Sequence, residues 1–252
     1  MSEAPHKWRD MAWKKALGDG ARSAIEYFMP DLAADMDPLR DVAAISGMEL
    51  PVIDSDTDKG MRVSDVFLSV PLLGGEDSNV ALLLEQQHDP DESLPLKMLE
   101  LYVRLRDKLR TKTTAIAIYT GSAKNVDTFK DSCYGVELSF KYNTFYLPEK
   151  DIDALRRDTR PFARVVLAGR LYLEAGDDVP SRERYAWEIW NTTNKQDYGA
   201  RETRFILNFA GDIFQLRDPK ISQKLKEAYK MKTIPLRDYV RNIDLETAKE
   251  EG

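Results

Sequence analysis

Residues 80–84 (VALLL) put five apolar side chains in a row, and the next position is Glu85. A run this short and this continuous, bounded by turn signals, suits a strand buried on both faces of a sheet. Taking a carboxylate out of water costs roughly several kcal/mol even after relaxation. A Glu at the end of such a strand therefore needs a partner, and a metal ion is one good candidate.

The preceding segment gives that strand a neighbour. Residues 62–70 (RVSDVFLSV) read as a second strand, and the Gly-Gly of residues 72–77 (LLGGED) favours a tight reversal between the two. With the pivot near Gly75, Asp65 and Glu85 each lie ten positions away from it. They become cross-strand neighbours, with Cβ atoms about 5 Å apart. Gln87 follows Glu85 by two positions and leaves a regular strand on the same face. Two carboxylates and an amide thus converge. A pivot shifted by one residue loosens the pairing but keeps Asp65 and Glu85 close.

Downstream, residues 88–93 (HDPDES) form a loop whose Ser93 is a natural N-cap, with Pro95 in the first turn of a helix. Leu94, Met98, Leu101, Leu105 and Leu109 recur at helical spacing, and Tyr102 widens the stripe, which reads as a core-facing face. Residues 113–120 are rich in β-branched side chains and end at Gly121, which suits a strand. Strand, helix and strand make a βαβ unit with parallel strands and a right-handed crossover. Together with the hairpin this is a mixed-sheet α/β arrangement.

Elsewhere the patterns are coarser. Residues 7–17 and 21–29 read as helices, 31–38 as a short helical turn and 42–52 as partly strand. Residues 54–60 (DSDTDKG) have an Asp-x-Asp-x-Asp rhythm, but the Gly and Glu that a calcium loop needs are misplaced. Residues 123–130 read as loop or short helix, 136–140 and 144–147 as short strands, and 151–159 as a helix. Residues 162–173 fit helix or strand by pattern alone. Residues 182–190, 201–214 and 222–231 read as helices, and a charged helix follows Pro235.

Asp65 followed by a buried strand ending Glu85-Gln86-Gln87 resembles the PD-(D/E)XK nuclease core, with Gln standing where Lys is usual. More narrowly, the chain resembles the Rpn family of recombination-promoting nucleases and transposases. Asp10 and Lys14 resemble its opening helix, residues 25–32 (IEYFMPDL) the turn after it, and Ser64-Asp65-Val66 its strand acid. Glu85, Gln87, Pro90 and Asp91 match its Glu-x-Gln-plus-loop signature; Pro95-Leu96, Tyr119-Thr120-Gly121 and Arg160-Pro161-Phe162-Ala163 match later markers. Departures are Arg9 for His, His88 for Ser, Lys97 for Arg and Leu101 for Tyr.

The resemblance implies an α/β fold with a PD-(D/E)XK-like restriction-endonuclease core, a mixed central sheet flanked by helices and a helical C-terminal region. It places the core at residues 1–168 and a helical extension at 169–252, and it tips 162–173 to helix. It implies a divalent-metal-dependent DNA endonuclease, linked to recombination or mobile elements. Asp65 and Glu85 would hold one or two Mg²⁺ ions, with Mn²⁺ as the alternative, Asp10 would complete the shell, and Gln87 would position water or phosphate. Glu26 is a lower-ranked ligand candidate.

Composition narrows the setting. With 42% hydrophobic and 32% charged residues among 252, this is an ordinary soluble composition. No apolar run approaches the roughly 20 residues a membrane helix needs, and the opening residues lack the apolar core of a signal peptide. Cys133 is the only cysteine, which excludes an intrachain disulfide or a cysteine-based zinc site, and it reads as buried or inert. His6 and His88 are the only histidines, so a His-rich metal site is disfavoured too. An intracellular, cytoplasmic protein is expected, with the oligomeric state open and a homodimer among the options.

The net charge of −6 argues mildly against tight sequence-independent binding of nucleic acid. Residues 104–112 (RLRDKLRTK) and 224–232 (KLKEAYKMK) are nonetheless basic, which suits either a DNA groove or solvated helix faces. Phosphate-binding loops, dinucleotide fingerprints, zinc-protease motifs and nucleophile elbows are missing. The alternative to an enzyme is a catalytically inactive nucleic-acid or protein-interaction module on the same scaffold, its Asp65 and Glu85 merely exposed strand-end acids.

Overall fold

The computed structural model describes residues 7–45, 65–75, 78–122 and 126–215, the side chains of Lys7 and Asp65 excepted. Its first elements are α1 (Lys7–Asp19), α2 (Ala21–Phe28), α3 (Pro30–Ala34), β1 (Ala43–Ala44) and β2 (Asp65–Pro71). The apolar run then becomes β3 (Asn79–Gln87), in which Ala81 to Gln86 are all buried. After it come α4 (Leu94–Leu109), β4 (Lys112–Tyr119), β5 (Thr128–Cys133), β6 (Val136–Lys141) and β7 (Asn143–Tyr146). Four helices follow: α5 (Ile152–Arg157), α6 (Pro161–Ala175), α7 (Val179–Asn194) and α8 (Ala200–Ile213).

Five strands make one sheet in the order β1-β2-β3-β4-β7, with β3 at its centre. The β2–β3 hairpin is antiparallel, and its register pairs Asp65 with Glu85 and Pro71 with Asn79. Its turn is closed by the Leu72 N–H donating to the Ser78 carbonyl at 2.8 Å, with Gly74 and Gly75 both at positive φ. β3 and β4 are parallel, as are β4 and β7. The sheet is therefore mixed, and the βαβ unit read from sequence is present.

The α4 stripe does what its spacing demands. Leu94, Met98, Leu101 and Leu105 are buried against Phe67, Ala81, Leu83, Ala115 and Ala117 on one face of the sheet, with Leu109 and Tyr102 at the margin. Ser93 makes no capping bond to the helix; its own N–H and hydroxyl donate to Asp91 instead, at 2.9 and 2.6 Å. On β3 the intervening residues, Leu82 and Leu84, alternate to the other face, and α1 packs against β2 and β3.

Residues 161–175 settle as helix α6, with Pro161 in the first turn, where a missing N–H is harmless. Nearly all of it is buried, including Arg164, whose guanidinium donates to the carbonyls of Arg156 and Asp158 and to the Tyr198 hydroxyl. The boundary expected at 168/169 falls inside this helix. A Cβ at Gly169 would lie 2.5 Å from Trp13 Cζ2, so α1 and α6 are in close contact at that point. Trp13 also meets Phe209 of α8 edge-on, with centroids 4.8 Å apart, and the compact unit extends through Phe214.

Two readings from sequence are corrected. Residues 123–130 were expected as loop or short helix, but 128–130 belong with 131–133 to β5, which pairs with β6 in a separate two-stranded sheet. The reversal sits at Tyr134 and Gly135, with φ of 44° and 87°. Such a two-residue turn with both φ positive is the favoured hairpin connection, but Tyr in the first place hides it from a sequence pattern. Cys133 is exposed beside this turn, not buried. Most of 42–52, the loop 54–60, residues 62–64 and everything beyond 215 lie outside the described residues. Among the described residues no helix is long and apolar enough to cross a membrane.

Candidate active site

Glu85 lies near the end of the buried part of β3 and is only 1% exposed. Its Oε1 accepts from Lys97 Nζ at 2.8 Å, the lysine reaching down from the first turns of α4. Its Oε2 is buried and has no hydrogen-bond partner. The exposed strand-end acid is thereby excluded for Glu85. A buried carboxylate has been built in, half neutralised and half open.

The hairpin register sets position 65 directly across from position 85, as counting from Gly75 requires. Directly opposed positions of an antiparallel pair share one face of the sheet. The Asp65 side chain itself lies outside the described residues. Gln87 alternates to the Glu85 face and is partly buried; its Nε2 donates to the Asp89 carbonyl at 2.6 Å, which holds the amide against the 88–93 loop.

Asp10 is not brought to this group. It lies beside Gln86, whose side chain alternates to the opposite face of β3 from Glu85. Burial raises the Asp10 pKa above the ordinary aspartate value, outweighing the opposite pull of Lys14, Arg9 and its other polar neighbours. Glu26 sits on α2 and lines a different cleft, with Asp19, Arg22 and Glu202.

The Gln86 face carries its own polar network. Gln86 Nε2 donates to Thr120 Oγ1 at 2.6 Å, and the Thr120 N–H donates to the Gln87 carbonyl at 2.8 Å. Arg9 donates from Nη1 to His88 Nε2 at 3.0 Å. A guanidinium can only donate, so this nitrogen accepts and the ring proton belongs on Nδ1, which faces Thr120 Oγ1 at 3.4 Å. Gly121 follows because any Cβ there would meet His88 Nδ1 and its carbonyl oxygen at 2.5 Å. The Tyr-Thr-Gly ending of β4 thus has a local physical reason.

Lys97 and Gln86 were not picked out as site residues from the sequence. A signal for Lys97 existed: it precedes Met98 in a helix whose buried stripe is Leu94, Met98, Leu101 and Leu105, so it flanks the face laid on β3. Gln86 is masked in the sequence by standing between two better candidates.

Comparisons with protein-family models, with curated proteins and with solved structures return no match. The site must therefore be judged on its own chemistry. Among the described residues no three acidic, histidine or cysteine side chains gather at one point. Magnesium does not require that many, since it keeps several waters and is held through one or two carboxylates. A buried carboxylate oxygen without a partner, with a second acidic residue paired to it in register, fits such an ion.

Proposed function

We propose that the chain is a divalent-metal-dependent DNA endonuclease with a PD-(D/E)XK-like core of the Rpn type. The observation that carries this reading is Glu85: fully buried at the end of the central strand, one oxygen on Lys97, the other unpartnered, with Asp65 opposite it in the hairpin. A carboxylate kept out of water in this way is expensive unless it has work with a cation. The order of elements around it, antiparallel hairpin, crossover helix and parallel strand, is compatible with that core.

In this reading Asp65 and Glu85 hold Mg²⁺, or Mn²⁺ in its place, which when bound acidifies water and offsets charge on the phosphate. Phosphodiester hydrolysis then forms a bond from water oxygen to phosphorus and breaks the bond from phosphorus to one sugar oxygen. One proton of the attacking water passes to solvent, and the departing sugar oxygen takes one up. Gln87 cannot carry charge, so its part is to orient water or a phosphate oxygen by hydrogen bonding. Lys97, Arg104 and Lys108 recur on one side of α4, the last two exposed, and offer the DNA backbone a short line of cations leading to Glu85. Asp10 serves the Gln86 network rather than the metal.

The second reading is an inactive nucleic-acid or protein-interaction module, and one observation favours it: Lys97 already neutralises Glu85 without a metal. The two separate on incubation of plasmid DNA with the protein and Mg²⁺ or Mn²⁺, against EDTA and against Glu85→Ala. Cutting that needs the metal and is lost in the variant is the expected result. DNA binding without cutting, or neither, identifies the module.

A further inference from the structure

The β5–β6 hairpin is separate from the five-stranded sheet, and among the described residues no third strand joins it. Its side chains alternate between two faces. One face carries Phe129, Cys133, Val136, Leu138 and Phe140, with Asp131 as the polar exception. Phe140, at the base, packs on Tyr102 of α4 with ring centroids 5.0 Å apart. Toward the turn the same face opens to solvent, with Leu138 42% exposed and Val136 69%. A two-stranded hairpin is marginally stable by itself in water, and this one leaves apolar side chains in it.

The backbone shows which groups line the outer edges. The Tyr142 N–H donates to the Asp127 carbonyl at 3.0 Å, one step beyond the pair Thr128 and Lys141. Hydrogen-bonded pairs alternate along an antiparallel ladder, so Val136, Leu138 and Phe140 bond inward to β5, while Glu137, Ser139 and Lys141 turn their N–H and C=O groups outward. The two edges differ in how they meet a copy of themselves about a twofold axis. On β5 the registers of best overlap centre on Lys130 or Asp131 and set that charge against itself. A lysine on an edge strand is a known guard against such pairing. On β6, an axis at Ser139 places Glu137 opposite Lys141 on both sides and Leu138 opposite Phe140. Lys141 already meets Asp127 at 3.6 Å, but both groups are exposed, and an exposed pair of this kind is worth little.

We propose that β6 pairs antiparallel with β6 of a second copy of this chain, about a twofold axis at Ser139, joining the two hairpins into one four-stranded sheet. Glu137, Ser139 and Lys141 then exchange backbone hydrogen bonds with the residues opposite them. Leu138 and Phe140 of the two copies form one continuous apolar strip, and the Glu137–Lys141 pairs fix the register. This inference does not depend on the nuclease reading.

The register supplies a test that a merely sticky patch does not pass. Sedimentation velocity is run on the full chain over a concentration series. A hairpin edge is a small interface, so wild type is expected as a weak, concentration-dependent dimer. Glu137→Lys and Lys141→Glu each set like charges opposite one another at two symmetric places, and each should weaken association about 10-fold or more. Mixed in equal amounts, the two variants recover both opposite-charge pairs, and the mixture should associate as strongly as wild type. In a Cys133→Ser background, Ser139→Cys puts two thiols across the axis with Cα atoms about 5.5 Å apart, within disulfide range. Oxidation should then give a cross-linked dimer on a non-reducing gel.

Wild type that stays monomeric across the series overturns the proposal, even if the β6 edge accepts a strand from another protein. A dimer that neither charge reversal weakens, or that the mixture fails to recover, lies elsewhere and overturns it too. If either reversal does not fold, judged by circular dichroism, the cross-link decides alone: a disulfide dimer supports the pairing, and a monomer after oxidation refutes it.

Discussion

A single buried charge pair dominates the energetics at the end of β3. Lys97→Met in the absence of metal leaves the Glu85 carboxyl without its cation in a place with almost no water, which should destabilise the protein by about 2–4 kcal/mol. Adding Glu85→Gln to that variant should restore most of the loss, because the remaining pair is neutral. Urea denaturation of wild type, both single variants and the double variant measures the coupling directly. Asp10 makes a separate, pH-dependent prediction. Its pKa is raised by burial, so the fold disfavours the ionised form. The penalty is absent below the ordinary value of 3.8, grows as pH rises from there to the raised value, and is constant above it. Asp10→Asn should therefore gain stability relative to wild type across that window, and thermal melts from pH 3 to 7 should show the two curves separating, then running parallel.

Among the elements, the β2–β3 hairpin and α4 were the most legible from sequence, for the same reason. Each carries a periodic apolar pattern with a fixed reference point, the Gly-Gly turn for one and the leucine stripe for the other. Counting outward from Gly75 placed Asp65 opposite Glu85, and the observed register has that pairing. The β5–β6 hairpin was half read: Val136–Phe140 was recognised as strand but its partner Thr128–Cys133 was not, since nearly every side chain of β5 is polar or exposed. Its tight turn also lacks the usual sequence signal, because Tyr134 takes a left-handed conformation that asparagine tolerates better. Tyr134→Asn should stabilise the hairpin by roughly 0.5–1 kcal/mol, read as reduced amide hydrogen exchange along β5 and β6. No gain, or a loss, would mean that the Tyr134 ring contributes what the backbone forfeits.

At the scale of the whole molecule, the helical layer is shared between the early and late parts of the chain. Trp13 of α1 packs on Phe209 of α8 and lies against Gly169 of α6, so the first helix finds its core partly among residues far along the sequence. A chain ended after Ala168 cuts α6 in two and removes α7 and α8, and it should fail to fold. A chain ended after Gln215 keeps the compact unit and should give a cooperative melt in far-ultraviolet circular dichroism. A folded 168-residue fragment would show that the late helices are an appendage after all.

The sequence by itself determined the mixed sheet, its hairpin register and the pairing of positions 65 and 85. These follow from local periodicity, and a slip of one residue would turn a buried strand inside out. Only the tertiary structure decided which cation meets Glu85 and where Asp10 goes. Lys97 and Glu85 are brought together by how a helix lies across a strand, and Asp10 is assigned to the other face by the packing of α1. Neither depends on spacing along the chain.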